Sequence, residues 1–381
     1  MHIGVPRETY PGEGRVAVTP ETVKKLTAQG HEVKVAAGAG ELASVTDASY
    51  QAAGALLVGQ ADALGSGVVL KVRAPSPDEL NHMKPGAVLI GMLDPYSAET
   101  LTRLSAAGLT SFALEAAPRT SRAQSMDVLS SQANVAGYKA VMLAAERYQR
   151  FFPMLMTAAG TVKAARVVVL GVGVAGLQAI ATAKRLGAVI EASDVRPTVK
   201  EQVESLGAKF IDVAYETEEE RVAAEGVGGY AKPMPASWLE RQRLEVAKRV
   251  AAADIVITTA LIPGRLAPTL VTEEMVKSMK AGSVIVDLAA GKGAPASNGV
   301  NGGNCPLSEP DRTVVKHGVV LVGETNLPSL VAADASALYA RNVLDFLKLL
   351  TAKGGSLSIP TDDDIVSACL VTRAGEITRK Q

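Results

Sequence analysis

Scarcity does most of the early sorting. Cysteine is nearly absent: Cys305 and Cys369 are the only two in 381 residues, and they make no C-x-x-C pair. A disulfide framework is thereby excluded, and a reduced intracellular protein is the simple expectation. Aromatic residues supply 4% of the chain against 48% apolar residues overall, so its cores are expected to be mainly aliphatic. Neither sign of charge prevails, with 39 Lys+Arg against 39 Asp+Glu, which speaks against a nucleic-acid binder or a polybasic membrane surface. No apolar run reaches the roughly 18 residues that a bilayer span requires, so a soluble protein is expected. No charged-then-apolar leader opens the chain, and no signal peptide is expected. The motifs G-x-S-x-G and H-E-x-x-H are missing, as is any Cys/His cluster with metal spacing, so no metal is expected. The four histidines, His2, His31, His82 and His317, are scattered and are expected at the surface or at strand edges.

What is present centres on residues 166–196, RVVVLGVGVAGLQAIATAKRLGAVIEASDVR. Val167, Val168, Val169 and Leu170 read as a strand buried on both faces of a parallel sheet. Gly171, Gly173 and Gly176 follow in G-x-G-x-x-G spacing and lead into LQAIATAKRL, a helix expected to end at Gly187. Gly171 permits the tight turn, Gly173 lets a pyrophosphate approach the backbone, and Gly176 lets helix and strand pack closely. The helix start then offers unpaired N–H groups and the positive end of its dipole to phosphates. A second strand, AVIEAS, delivers Asp194 18 residues past Gly176, where a carboxylate can accept both adenosine ribose hydroxyls. That carboxylate repels a 2′-phosphate and favours NAD over NADP, whereas Arg196 nearby is a residue that could serve a 2′-phosphate. A strand before the glycines, a helix after them and an acid at this distance point together to dinucleotide binding.

The length allows about two or three domains. Thr19 is expected to cap a helix with Pro20 at its first position, stopping at Gly30. Strands HEVKVA, ALLV, GVVLKV, AVLIGML and LTSFALE alternate with short helices through residue 116, as in a parallel α/β domain of its own. Its first loop lacks a glycine fingerprint, so it is not expected to hold a nucleotide phosphate. Residues 125–152 read as one long helix bridging two domains. The nucleotide domain is expected over about 140–322, with further strands KFIDVA, DIVITTAL, SVIVDLA and VVLVG. Residues 331–350 read as an amphipathic helix with Leu338, Val343, Phe346, Leu347 and Leu350 roughly on one face. This helix returns the chain to the first domain, which thus comprises 1–130 plus 325–381, and the tail DDDIVSACLVTRAGEIT reads as a small hairpin. The fold class expected is α/β: two Rossmann-like, doubly wound parallel-sheet domains joined by long helices.

Two stretches exceed a minimal unit of this kind. Residues 215–235 carry Gly226, Gly228 and Gly229 before Tyr230, and read either as a mobile lid or as a plain solvent loop. Residues 290–303, rich in Gly, Ala and Asn, read as a floppy segment. A polar group also stands out in RTSRAQSMDVLS: Arg119, Arg122, Gln124, Asp127 and Ser130. Gln124, Asp127 and Ser130 recur at intervals of three, which places them on one side of helical backbone, where they could hold a carboxamide and fix its ring. Spacing alone favours the plainer reading, an exposed polar helix start with Ser121 or Ser125 as cap.

With GVGVAGLQAIATAKRLGA, EQVESLGAKF, RAQSMDVLSSQ, GGYAK, ITTALIPG, GGNCPLSEP and TNLPS…VAADAS, the chain resembles the NAD(H)-binding soluble component, the alpha-1 type, of proton-translocating (Re/Si-specific) NAD(P) transhydrogenases. The resemblance runs over nearly its whole length. PRETYPGEGRVAV also matches the related alanine dehydrogenases. What the resemblance implies is NAD(H) bound in a cleft of two Rossmann-like domains, and a homodimer. It implies that Arg119, Gln124, Asp127 and Ser130 position the nicotinamide and that Tyr230 closes over it. The cofactor-binding set expected is Gly171, Gly173, Val174, Ala175, Gly176, Asp194, Val195, Arg196, Thr259, Ala260 and Leu261. Hydride would pass directly from NADH to NADP⁺ held on a partner component, with a membrane-spanning subunit coupling this to proton movement. The chain would then be cytoplasmic and peripheral to the inner membrane through those subunits.

Two other readings stand beside this one. An alanine dehydrogenase needs a general acid/base beside its substrate, whereas hydride exchange between two nicotinamides needs orientation and exclusion of water. Lys71 and Arg15 match the substrate-side positions of alanine dehydrogenases, but the histidine is missing: VLIGMLDPY has Asp94 near its place. The aspartate expected after DLA is also missing, because DLAA runs into GKGAPASNG. Lys71 is then expected to be a structural remnant satisfied by a carboxylate. The segment 288–303 is longer than expected for the family. The third reading, a non-catalytic NAD-sensing module, would have no use for an ordered 119–130 loop or for Tyr230.

Overall fold

The computed structural model describes residues 1–225, 234–262, 264–295, 299–352 and 354–379. The chain divides into two compact units, Met1–Gln132 with Pro328–Gln381 and Ala133–Leu327.

In the first unit, β1 (His2–Val5), β2 (Glu32–Ala36), β3 (Leu56–Val58), β4 (Val68–Arg73), β5 (Val88–Met92) and β6 (Thr110–Ala113) pair in parallel in the order 3-2-1-4-5-6. That order follows when right-handed crossovers wind outward from one central strand in both directions. Pro20 at the first position opens the helix Pro20–Ala28, the Thr19 N–H donates to Thr22 Oγ1 (2.9 Å), and Gly30 at φ +80° turns the chain out.

The second unit repeats the scheme. Its strands are β7 (Leu155–Thr157), β8 (Gly160–Val162), β9 (Arg166–Leu170), β10 (Val189–Ser193), β11 (Lys209–Phe210), β12 (Ile255–Thr258), β13 (Val284–Asp287), β14 (Thr313–Lys316) and β15 (Val319–Val322). The large sheet runs β11-β10-β9-β12-β13-β15-β14, parallel except at β14. β14 reverses into β15 through His317 and Gly318, at φ +52° and +79°, the two-residue turn whose twist suits a hairpin. β7 and β8 form a separate two-stranded hairpin that joins neither large sheet.

The chain then re-enters the first unit through the helix Ala332–Leu349, whose buried face includes Tyr339, Val343, Phe346 and Leu347. Phe346 meets Phe112 with ring centroids 5.5 Å apart, and Tyr339 donates its hydroxyl to the Lys71 carbonyl at 2.7 Å. β16 (Leu370–Arg373) and β17 (Glu376–Ile377) finish the first sheet, β16 lying antiparallel beside β6.

Several sequence expectations need correction. Residues 125–152 are not one helix: a 3₁₀ segment, Ser121–Met126, breaks at Asp127 (ψ 89°) before the α-helix Val128–Arg147. Pro153, which disfavours helical backbone at Phe152, accounts for an end before that residue. The tail is more than a hairpin. Asp363 accepts the N–H groups of Ile365 and Val366 and so caps a short helix, Asp364–Cys369, ahead of β16. Both sheets carry antiparallel edges, so neither is purely parallel. His31 is not at the surface: it is 4% exposed, on the buried approach to β2. Leu338 is half-buried, and Tyr339 fills the core in its stead.

The stretch expected as a lid contains a helix, Glu218–Glu225. Ala223 and Ala224 of that helix pack with Met234 and Trp238, and Tyr215 stacks on Trp238 at 6.2 Å. Gly226, Gly228, Gly229 and Tyr230 lie outside the described residues. The described stretch of 290–303 is pinned rather than floppy. Gly293 N–H donates to Gly302 O (2.8 Å), and Pro295 bridges to Asn301.

Candidate functional site

In the second unit the site begins where β9 ends. Gly171 turns at φ +93°, and a Cβ there would lie 2.7 Å from Thr259 Oγ1. Gly176 is held more tightly still, since a Cβ would fall 2.0 Å from the Gly171 carbonyl oxygen. At Gly173 the backbone is extended (φ −83°, ψ −166°), and a Cβ would meet nothing within 4 Å. Two of the glycines are therefore required by packing and the third leaves open space at the mouth of the helix Val174–Arg185. The first N–H bonded back to this turn is that of Leu177, to Gly173 O at 2.9 Å. The amides of Val174, Ala175 and Gly176 precede it with no side chain capping them. A pyrophosphate fits this place: an uncrowded backbone, three leading donors and the positive end of a helix dipole.

Asp194 stands at the end of β10 with its side chain 7% exposed. One carboxylate oxygen accepts the Val172 N–H (2.7 Å) and Arg196 Nη2 (3.0 Å). The other accepts the Arg196 N–H (2.9 Å) and Nε (3.0 Å). These four donors match the lone-pair capacity of a carboxylate. Arg196 thus folds back on Asp194, and a ribose diol can take its place there only by displacing the guanidinium. Val195 is exposed beside it.

The loop after β12 closes the far side of the glycine turn. Thr259 donates Oγ1 to Gly171 O at 2.8 Å. Ala260 is gripped on both backbone groups by Asn304: its N–H donates to Oδ1 (3.0 Å) and its carbonyl accepts from Nδ2 (2.9 Å). Asn304 Nδ2 also reaches Pro268 O at 2.8 Å. Asp287, fully buried, accepts Thr258 Oγ1 (2.9 Å) and the N–H groups of Ala289, Asn304 and Cys305. Leu261, by contrast, is half exposed. The sequence reading missed Asn304 and Asp287 as supports of this loop. Their signal was present in GGNCPLSEP and DLAA, but a buried amide that bonds backbone has no periodicity to find. Burial pushes the Cys305 thiol up to about 11, and both cysteines are buried free thiols.

In the first unit, the 119–130 loop is held by apolar pegs. Ala123, Met126 and Val128 are buried, while Arg119 and Gln124 are exposed between and before them. Asp127 accepts the Ser130 N–H (2.9 Å) and Oγ–H (2.6 Å), which caps the helix Val128–Arg147 and joins two of the expected residues directly. Arg122 turns the other way: its guanidinium forks onto Asp363 (2.7 and 2.9 Å) and also meets Asp364. That pairing holds the Asp363 carboxyl down at about 2.

The substrate-side positions shared with alanine dehydrogenases are locked. Lys71, 1% exposed, lies 2.8 Å from Glu79 and 3.2 Å from Glu8. Arg15 pairs with Glu13 (2.7 Å) and donates to Gln132 (2.8 Å). A cavity of about 200 Å³ beside them is lined by Arg7, Glu8, Glu13 and Arg15 among others. Asp94 is exposed at φ +51°, its N–H donating to Glu115 Oε1 at 2.6 Å. Burial drives the Glu115 carboxyl up to about 7. Among the described residues no His, Cys, Asp and Glu group could hold a metal ion, and no helix is long and apolar enough to cross a membrane.

The family model "Alanine dehydrogenase/PNT, N-terminal domain" matches residues 4–136, and "Alanine dehydrogenase/PNT, C-terminal domain" matches 140–380. The chain is 53% identical over 389 aligned residues to the first of the separately encoded pieces of the NAD(P) transhydrogenase alpha subunit of Rhodospirillum rubrum, covering 99% of this chain and 97% of that one. The crystal structure of transhydrogenase from Sinorhizobium meliloti superposes with a TM-score of 0.88 at 48% identity, over 99% of this chain and all of that one. An L-alanine dehydrogenase structure is more distant, with a TM-score of 0.78 at 28% identity over 99% and 96% of the two chains.

Proposed function

Because the chain belongs to the alanine dehydrogenase/PNT family, we propose that it is the NAD(H)-binding component of a proton-translocating NAD(P) transhydrogenase. The observation that carries this is a pair of contrasts. The glycine turn of the second unit has the space and donors a pyrophosphate needs. The Lys71 that an alanine dehydrogenase would turn to its substrate is instead saturated by Glu8 and Glu79, with Asp94 where the histidine would stand.

On this reading the amides of Val174, Ala175 and Gly176 hold the pyrophosphate, and Asp194 takes the adenosine ribose after Arg196 swings off it. Val195, Thr259, Ala260 and Leu261 line the dinucleotide, their loop fixed by Asn304 and Asp287. Arg119, Gln124, Asp127 and Ser130 orient the nicotinamide carboxamide, and Tyr230 covers it. When bound, NADH supplies a hydride, which passes directly to NADP⁺ on a partner component. No residue here needs to move a proton at the reacting carbons; these side chains orient the ring and exclude water. A membrane-spanning subunit couples the transfer to proton translocation, and holds this component at the cytoplasmic face of the inner membrane. The chain acts as a homodimer. The hairpin β7–β8 supports this, because two strands alone are marginal in water and Met154, Met156 and Val162 are exposed on or beside it.

The test is reduction of an NAD analogue by NADH in the presence of the NADP(H)-binding component and NADP⁺. Steady cyclic turnover is expected. An inert mixture would favour a sensing module, and oxidation of L-alanine by this chain alone would favour the dehydrogenase.

A further inference from the structure

The helix Ala332–Leu349 does more than return the chain to the first unit. Its position is set against the sheet by Tyr339, which bonds the Lys71 carbonyl of β4, and by Phe346, which packs on Phe112 of β6. Asn342, three residues past Tyr339 and 8% exposed, faces the 119–130 loop from this fixed helix. Its Nδ2 donates to Ser125 O at 2.7 Å, and its Oδ1 accepts Ser131 Oγ–H at 2.7 Å. These two points lie on either side of Asp127, the residue where 3₁₀ backbone gives way to α-helix. One amide therefore bridges the break, where the loop has no regular hydrogen-bond ladder of its own. A second tether lies upstream, where Arg122 forks onto Asp363, the cap of the short C-terminal helix. Between the tethers Gln124 stays exposed and Asp127 holds Ser130.

We infer that Asn342 is a positioning residue for hydride transfer: it fixes the backbone on both sides of Asp127, so that Gln124, Asp127 and Ser130 meet the nicotinamide carboxamide in one geometry. The Arg122–Asp363 pair does the same for the start of the loop. Neither pair touches the cofactor. The inference rests on the reading of the loop as the nicotinamide-orienting element, and deepens it by naming what holds that element still. A side chain of this kind acts on rate and not on affinity, because phosphate and adenosine contacts remain while near-attack geometry loosens. Displacing a reacting group by about 1 Å costs on the order of 10²-fold in rate.

The test uses the full chain carrying Asn342→Ala, with Asn342→Asp and Arg122→Ala as companions. Asn342→Asp keeps the acceptor for Ser131 but cannot donate to Ser125 O. Arg122 is 48% exposed in its side chain, so its variant remains informative if Asn342→Ala fails to fold. NADH affinity is read from fluorescence titration of the chain alone. Ring order is read from the anisotropy decay of bound NADH, whose emission comes from the nicotinamide. Hydride transfer is read in single turnover with the NADP(H)-binding component. The expected result is added nanosecond ring motion and a loss in rate of about 10- to 100-fold, with NADH affinity changed less than about threefold. Wild-type ring order and rate in all three variants would overturn the inference even if thermal stability fell. Equal losses in affinity and rate would do so too. Gln124→Asn, run alongside, separates the two layers: if it slows transfer while the tether variants do not, only the tethers are refuted. If it also has no effect, the reading of the loop falls and takes the inference with it.

Discussion

Replacing Gly173 and Gly176 in turn by alanine separates a glycine kept for a ligand from one kept for the fold. At Gly173 the added methyl meets no atom within 4 Å and φ is −83°, so the chain accepts it without strain. Alanine is a poorer helix cap than glycine, a cost of under about 1 kcal/mol. The same methyl projects into the space through which a pyrophosphate would reach the leading amides. Carbon and oxygen settle near 3.5 Å or more, whereas an N–H···O bond to a charged oxygen needs about 2.9 Å. Two of the three amide bonds would be lost, at about 1.5–3 kcal/mol each for a charged partner. The dissociation constant for NADH should therefore rise by about 10²- to 10⁴-fold. At Gly176 the order reverses. The methyl would sit 2.0 Å from the Gly171 carbonyl oxygen, a backbone atom that can yield only if helix and strand separate. Gly176→Ala should lose about 1–3 kcal/mol or more in urea unfolding of the free protein. Fluorescence titration with NADH and unfolding without it give both readings. Wild-type NADH affinity in Gly173→Ala would refute the reasoning, as would wild-type stability in Gly176→Ala.

Further outcomes follow from the same geometry. Asp194→Asn should weaken NADH by roughly 1.5–3 kcal/mol, the worth of hydrogen bonds to a charged group, and narrow the gap between NADH and NADPH; an unchanged preference would count against its ribose role. Arg196→Ala removes the guanidinium that occupies the Asp194 carboxylate, so NADH should bind as well or better, and weaker binding would mean that Arg196 itself holds the nucleotide. Gln124→Asn should leave NADH affinity nearly intact and slow hydride transfer, with equal losses in both contradicting that division. Glu115 is raised to about 7 from an ordinary 4.5, so the folded state holds its proton longer than the unfolded chain does. The stability it contributes is complete below about 4.5 and is lost as pH rises through about 7. Urea titrations of Glu115→Gln against wild type should show the variant falling less steeply across that window; identical pH profiles would discount the shift.

The strand–turn–helix around Gly171 was legible because three short-range signals coincide there: a wholly apolar strand, glycine spacing and an acid at the next strand end. The parallel order of both sheets follows from alternating strands and helices joined by right-handed crossovers. Legibility failed where a single polar side chain overrides a run of helix formers. Asp127 breaks what reads as one helix because its carboxylate caps the next turn, and Asp363 does likewise in a tail that looked like loop and hairpin. His31 and Lys71 are buried by long-range packing that a linear reading cannot show. Among the candidate site residues, the glycines follow from spacing, but Asn304, Asp287 and Asn342 act by bonding backbone far away in the chain. Such residues leave no pattern. Arg122 read as one member of a polar face, yet it points to Asp363, a partner more than two hundred positions on.

The most direct measurement follows a labelled hydride. NADH carrying deuterium at the transferred position is mixed with this chain, the NADP(H)-binding component and NADP⁺ in ordinary water, and the NADPH formed is analysed by mass spectrometry. Direct transfer between two nicotinamides predicts that the label arrives whole at carbon 4 of NADPH. Label lost to solvent, or NADPH formed only when L-alanine is supplied, would contradict it.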